Sequence, residues 1–422
     1  MKNKNFKNHF LFVSLLLIIS SVLILSKSLS YNKIIVKDEE LVGTYIDGEY
    51  SDNIPKKDTG YVVEKIVCDN NAVGEWDYDN WGITLTNLSK KAKCNIHFRK
   101  GVKLADTINL ADTTGKCPTV NDDGTVNVTS AESENSLLCS APDNYGTSYY
   151  FRGNVQNNYV KFAGYYWRIV RINGDGSVRM IYDGTVAHEN GEVSDDRIIG
   201  TSAYNEKNDD NAYVGYMYGT PGSSTYAETH ANINDSTIKT YIDTWYEKNL
   251  KSTNYEQYLA DNLFCNDRYL DKDGGYGTSV IGYRWTWSYN SPRLHCNLIA
   301  DSFTKDNDVF GNRALKYSVG LINADEAELA GVYYNIGNEK SYLYIGTYYA
   351  TMSPIGFSTS ISNSSTNVTM ISYVRNDGGI NWNDETLKIG SAYLYGVKPV
   401  INLKPNSLTS GDGTINNPYI VE

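Results

Sequence analysis

Proline (9), methionine (5) and histidine (5) are scarce in this chain of 422 residues. No basic patch stands out against 38 Lys+Arg and 49 Asp+Glu, a net charge of -11. A phosphate backbone would meet repulsion over most of such a surface, so nucleic acid is excluded as the expected partner. The histidines (His9, His97, His188, His230, His295) are scattered and no Cys-x-x-Cys occurs, which excludes a structural zinc site. Long runs of helical periodicity are also missing, and with 36 Tyr and many Asn/Asp/Gly turns the pattern favours strands over a helical bundle. Hydrophobic residues nevertheless make up 41% of the chain, enough for real cores, so wholesale disorder is excluded.

One long apolar run is present, from Phe10 to Leu25, preceded by Lys2, Lys4 and Lys7 and followed by no acid before Asp38. It predicts an export segment with its basic flank in the cytoplasm, read as an uncleaved signal-anchor, with a cleaved leader ending near Ser26–Ser28 as the alternative. Either way the remainder is placed outside the cell membrane. The six cysteines at 68, 94, 117, 139, 265 and 296 fit an oxidising compartment. Of fifteen connectivities, three local pairs are preferred: Cys68–Cys94, Cys117–Cys139 and Cys265–Cys296. Each closes a loop of about 20 to 30 residues and stabilises by roughly 3 kcal/mol.

The expected architecture is α+β and β-rich. Residues 1–30 form the cytoplasmic tail and transmembrane anchor. Residues 31–101 show short alternating runs ending at Cys68 and Cys94 and read as a disulfide-pinned β-sandwich, with Trp76 or Trp81 as filler. Residues 102–147 are polar and read as a linker or small subdomain clipped by Cys117–Cys139. Residues 148–422 form the main domain. Within it, Tyr159–Phe162, Tyr166–Ile172 and Ser177–Tyr182 around the turn Asn173–Gly176 predict antiparallel strands. A helix is expected from Asp235 or Ser236, with Ile238, Tyr241, Ile242, Trp245 and Leu250 inward. A second is expected after Asn254, with Gln257 closing a capping box. A strand at Ser318–Ile322 leads to a third helix capped by Asn323 and Glu326 and ended by Gly331. Tyr393–Leu403 is the closing strand.

Ser148–Gly153, Asn157–Tyr159, Trp167–Ser177, Phe264–Arg268, Gly320–Glu326, Thr351–Pro354, Gly396–Leu403 and Asn417–Tyr419 together resemble the motifs of uncharacterised exported proteins of low-GC Gram-positive bacteria. The resemblance covers residues 148–422, and the preceding Cys-paired β-domain resembles the module usually placed before it. It implies a C-terminal C-type-lectin-like domain, the fold shared by the formylglycine-generating enzyme. In that fold the loops before the closing strand form the ligand face, here 373–384. A shared fold does not transfer activity.

The expected ligand-binding residues are Trp285, Trp287 and Tyr289 in one loop and Tyr373, Arg375, Asn376 and Trp382 in another, because flat rings beside small polar groups suit sugars and proteins. Trp382-Asn383-Asp384 resembles the Trp-Asn-Asp of calcium-dependent lectins, but the upstream Glu-Pro-Asn partner is missing. Asn383 and Asp384 are therefore weak calcium candidates. The acidic turns Asp271–Gly274 and Asp306–Asp308 could also hold calcium but lack the spacing and terminal Glu of an EF-hand and read as solvated turns, and no other cofactor is expected. The expected function is a membrane-tethered, adhesin-like protein that binds a glycan or protein. The alternatives are an extracellular oxidase or hydrolase on the same fold, using Cys265 and Cys296 or a Cys296–His295 pair, and a structural envelope component. No catalytic residue is assigned: a disulfide accounts for the two cysteines, and Asp325, Glu326 and Glu328 fall in a helical turn where the dipole favours acids.

Overall fold

The computed structural model describes residues 42–57, 59, 61–77, 81–88, 92–100, 117–129, 136–253, 255–270, 280–283, 291–358, 368–381, 394–405, 407 and 410–421. It is β-rich, 39% strand and 13% helix, with several small sheets. The chain divides after Lys100 into two compact units. The expected anchor, residues 1–30, lies outside the described residues, among which no helix is long and apolar enough to cross a membrane.

In the first unit, strands β1 (Val42–Ile46), β2 (Glu49–Ser51), β3 (Tyr61–Cys68) and β6 (Cys94–Lys100) make a sheet of order β2-β1-β6-β3. The hairpin β4 (Val73–Asp77) and β5 (Gly82–Thr86) is a second, two-stranded layer. Val63, Ile96 and Phe98 are buried, and Trp76, Trp81 and Ile83 pack against them. Cys68 and Cys94 are direct partners in the β3–β6 register and are joined by a disulfide. Alternation is clear in β6, where Cys94, Ile96 and Phe98 face inward and the residues between are partly exposed.

The second unit begins earlier than its expected boundary at 148. Short strands β7 (Thr119–Val120) and β8 (Val126–Asn127) pair with each other. Strand β9 (Ser136–Asp143), expected in a linker, then pairs along its whole length with β10 (Gly146–Gly153). The Cys117–Cys139 disulfide fastens this segment, and Cys139 is buried with Val126, Leu137, Tyr150, Leu329 and Tyr333. The polar composition of the surrounding residues misled, because the apolar content is concentrated in β9, where Leu137, Leu138, Cys139 and Ala141 are buried.

Strands β11 (Tyr159–Phe162), β12 (Tyr165–Ile172), β13 (Val178–Gly184), β24 (Val400–Leu403) and β25 (Tyr419–Ile420) complete a seven-stranded sheet. Its path is β24-β13-β12-β10-β9, with β11 on β12 and β25 parallel to β11. The Asn173–Gly176 turn forms as expected, Asn173 N–H donating to Ser177 O and Gly176 taking φ +82°. A six-stranded sheet runs β14 (Thr201–Ser202), β23 (Tyr395–Gly396), β20 (Tyr349–Ser358), β21 (Val368–Val374), β22 (Ile380–Asn381), with β18 (Val280–Gly282) on β20. One core cluster holds residues of both sheets, among them Trp167, Met180, Tyr349 and Ile371. Pro399 splits the expected closing strand into β23 and β24. Ser318–Ile322 contributes a single bridge, Gly320 to Val400, rather than a strand.

Two of the three expected helices form. Helix α1 (Thr237–Tyr246) is capped by Ser236, whose hydroxyl accepts from Lys239 N–H, and it continues into a π-helical turn, Glu247–Lys251. Helix α2 (Ala324–Leu329) has the full Asn323/Glu326 capping box, and Gly331 follows at φ +97°. Tyr255–Tyr258 is one 3₁₀ turn rather than the second helix, and Asn254 lies outside the described residues.

Candidate functional site

The expected binding residues divide by location. Trp285, Trp287, Tyr289 and Trp382, and the calcium candidates Asn383, Asp384 and Asp271–Gly274, lie outside the described residues. Tyr373 is 1% exposed, its ring inside the main core beside Tyr348 and Tyr395, so its assignment to a ligand surface is corrected: β21 is covered on both faces. Arg375 and Asn376 sit in the turn joining β21 to β22, Asn376 exposed and Arg375 paired with Asp377 at 2.7 Å. Cys265 and Cys296 are buried and joined. No cysteine of the chain is free, and no group of described residues is arranged to hold a metal ion.

Buried charge is the feature that sequence reading missed. Six arginines, Arg152, Arg168, Arg171, Arg179, Arg197 and Arg268, are all at most 3% exposed. Glu326, expected only to cap α2, does so and also accepts from Arg171 Nε at 3.0 Å and Arg179 Nη2 at 3.2 Å. Burial would raise its carboxyl, but Arg179 and Arg171 hold it below the usual range. In a second cluster, Arg197 donates to Asp183 Oδ1 through Nε (3.0 Å) and Nη2 (2.8 Å), while Lys398 Nζ lies 3.4 Å away. Burial pushes the Lys398 amine down to about 7 against the pull of Asp183. Burial acts upward on Asp183, which Arg197, Lys398 and Arg168 nonetheless hold low. The signal was present in β12 and β13: arginines at 168, 171 and 179, and Asp183, within largely apolar strands demand internal partners.

Perturbed groups of this kind also mark catalytic centres. Here, however, each is enclosed, and neither concavity described below is lined by Asp183, Lys398 or Glu326. A third polar set borders a smaller pocket of about 560 Å³. His230 Nδ1 faces Tyr226 O at 2.9 Å and its Nε2 meets the Tyr283 hydroxyl at 2.9 Å. Burial and then Arg268 push its pKa down to about 2, so the ring is neutral, with the proton on Nδ1.

A larger groove of about 930 Å³ lies along α1. One wall is the helix itself, contributing Thr237, Thr240, Tyr241, Thr244 and Trp245, extended by Lys248 and Asn249 of the π-turn. The facing residues come from β14 and the segment after it (Ser202, Asn205, Glu206, Lys207), from Tyr213, and from the paired strands β15 (Met217–Tyr218) and β16 (Asn234–Asp235) through Tyr218 and Asp235. The buried stripe of α1 is Ile238, Ile242 and Tyr246, continued by Leu250, four residues apart. That spacing turns Tyr241, 38% exposed, toward the groove, correcting its expected inward placement, whereas half-buried Trp245 packs against the core as expected and also lines the groove.

The walls are fixed from behind. Asn205 Nδ2 donates to Tyr213 O at 2.8 Å and its Oδ1 accepts from Thr237 N. Tyr213 and Tyr218 pack edge to face at 5.3 Å. Trp245 rests on Tyr165, Trp167 and Tyr182. Tyr165 hydroxyl donates to Asn249 Oδ1 at 2.7 Å, and Asn249 Nδ2 donates to Trp245 O. Buried Lys239 Nζ holds Asp235 at 3.1 Å and Asp243 at 2.7 Å. π-Helical turns occur often at functional sites, and here one sets two groove residues.

Comparison with known proteins finds no matching family model, no matching curated protein and no matching solved structure.

Proposed function

We propose that this is a membrane-tethered extracellular protein whose larger unit, a lectin-like head, binds a glycan or protein ligand, with the α1 groove as its site. The observation that carries the reading is that groove: four aromatic rings (Tyr213, Tyr218, Tyr241, Trp245) and small polar side chains, braced by hydrogen bonds and a packed aromatic layer. Rings of restricted rotamer freedom lose little entropy on binding and supply apolar area, while amides and hydroxyls supply direction. The volume is in the range that takes a small-molecule-sized segment of ligand. Paired cysteines throughout support an oxidising compartment. The disulfide at Cys265 and Cys296 favours binding over chemistry that needs a reactive thiol pair.

The test is an array of glycans and proteins probed with the full-length chain in detergent, with and without EDTA, beside Tyr218→Ala and Tyr241→Ala. Binding that persists in EDTA and falls in both variants is the expected result. Binding abolished by EDTA and untouched by the variants would move the site to a calcium centre such as Asn383/Asp384. Compartment is tested separately: protease added to intact cells should digest the folded bulk, with all six sulfurs oxidised.

A further inference from the structure

Four of the seven hydroxyls that line the α1 groove share a property that narrows the ligand. A Ser, Thr or Tyr hydroxyl has one proton to donate and lone pairs to accept with. In this groove four of those protons are directed into the protein. Thr240 Oγ1 donates to Ser236 O at 3.1 Å and Thr244 Oγ1 to Thr240 O at 2.8 Å. Tyr241 donates to Ile199 O at 3.3 Å, and Ser202 to Ala203 O at 2.8 Å. What remains toward the groove from these four groups is acceptor capacity. The Glu206 and Asp235 carboxylates add acceptors, the latter already held by Lys239. Ammonium donors come from Lys207, on the segment after β14, and from Lys248, on the π-turn past the end of α1.

Resting on the binding reading above, we propose that the groove is specific for a neutral saccharide. Such a ligand carries a hydroxyl donor on most ring carbons and an apolar C–H face. The donors satisfy the helix-side acceptors, the C–H face packs on the Tyr218, Tyr241 and Trp245 rings, and the two lysines give hydrogen bonds to hydroxyl or ring oxygens. An acidic saccharide would bring its charge against Glu206, Asp235 and the acceptor oxygens, leaving lone pair facing lone pair. An extended peptide offers one backbone donor and one acceptor per residue and so leaves many of the acceptors unmatched.

The experiment measures binding of the full-length chain to three sets of probes: neutral tetrasaccharides (cellotetraose, chitotetraose, mannotetraose), the acidic tetragalacturonate, and an unstructured uncharged decapeptide. Wild type is compared with Thr244→Val, the double variant Thr240→Val/Thr244→Val, and Tyr241→Ala. At least one neutral tetrasaccharide should bind, weakened roughly fivefold by the single threonine change and more than tenfold by the double change. Thermal unfolding is followed in parallel. These groove-facing side chains are exposed, so the variants keep the wild-type transition, and Tyr241→Phe retains most of the binding that Tyr241→Ala loses. Binding only of tetragalacturonate or of the peptide, weakened by the same variants, would overturn the saccharide assignment while leaving the groove as the site. Binding of any probe that none of the variants alters, or of no probe at all, would overturn both.

Discussion

The two units of this chain solve the same problem with different means. Among the described residues the first has two small clusters of buried side chains, Val63, Ile96 and Phe98 under a cover of half-exposed rings and Ala72, Ala92 and Cys94, and a disulfide that joins register partners on adjacent strands. The second has two disulfides of its own, but also a continuous core drawn from two sheets and, inside it, arginine–carboxylate clusters. A small unit buries too little apolar surface to support itself and leans on a covalent constraint. A large one has apolar burial enough to carry buried ions, which contribute little net stability but penalise any arrangement that leaves one of them unpaired. The lesson is that the disulfide stabilises the small unit against unfolding, whereas the ion clusters make the large unit specific.

The sharpest way to break the second half of that comparison is Glu326→Ala. It leaves Arg171 and Arg179 without their shared carboxylate, and a loss of about 3–5 kcal/mol is expected in the larger unit by denaturant titration, with the smaller unit's transition unmoved. Cys68→Ser with Cys94→Ser should have the converse selectivity. The first unit loses roughly 3 kcal/mol and melts at a lower temperature, and the second keeps its transition.

A pH series sharpens the difference further, because among the described residues the buried charges lie in the larger unit. Folded Lys398 releases its proton at about 7, whereas the unfolded chain holds it to 10.5. Between those values the unfolded state binds more protons, so the larger unit gains stability as pH rises, by at most about 1.4 kcal/mol per pH unit. Lys398→Met should flatten that slope. Burial raises the Tyr204 and Tyr246 hydroxyls, so above about pH 10 unfolded tyrosines ionise first and stability falls again. At the acid end Asp183 and Glu326, held low by their arginines, give stability that is lost as pH falls through the carboxylate range. Asn323→Ala, which removes the α2 cap, should cost about 1 kcal/mol. Smallest of all, Tyr241→Ala should change stability by no more than about 0.5 kcal/mol, since the ring lies on the surface of the groove.

What was legible followed from short-range signals. Ser236 and Asn323 mark helix starts because a side-chain oxygen three residues from an orphan backbone N–H finds it wherever the helix sits. The Asn173–Gly176 turn forms because its closing hydrogen bonds run between residues three and four apart. The three disulfides join cysteines 22 to 31 residues apart in sequence, as local pairing predicts. The β9 strand was less legible, since its partner β10 was visible but the polar residues around it read as linker.

The site was legible only in kind. Aromatic rings beside Asn, Ser and Thr were read as the chemistry of recognition, but the rings chosen were others: Tyr373 belongs to the core, Tyr241 was placed there when it lines the groove, and Trp245 does both, packing against the core and lining the groove. An amphipathic helix shows its most apolar stripe, and a Tyr or Trp next to that stripe can be turned either way by whatever packs beside it. Here Tyr165, Trp167 and Tyr182, far off in sequence, hold Trp245 at the groove wall.

The sequence by itself determined the strands around the Asn173–Gly176 turn, the turn, two helix caps and the preference for local cysteine pairs, because each rests on backbone geometry and neighbours within a few tens of residues. Only the tertiary structure decided which faces are covered, which arginines meet which carboxylates, and where a concave surface remains. Those depend on segments such as Arg179 and Glu326, 147 residues apart, arriving at the same place, and no local pattern encodes that meeting.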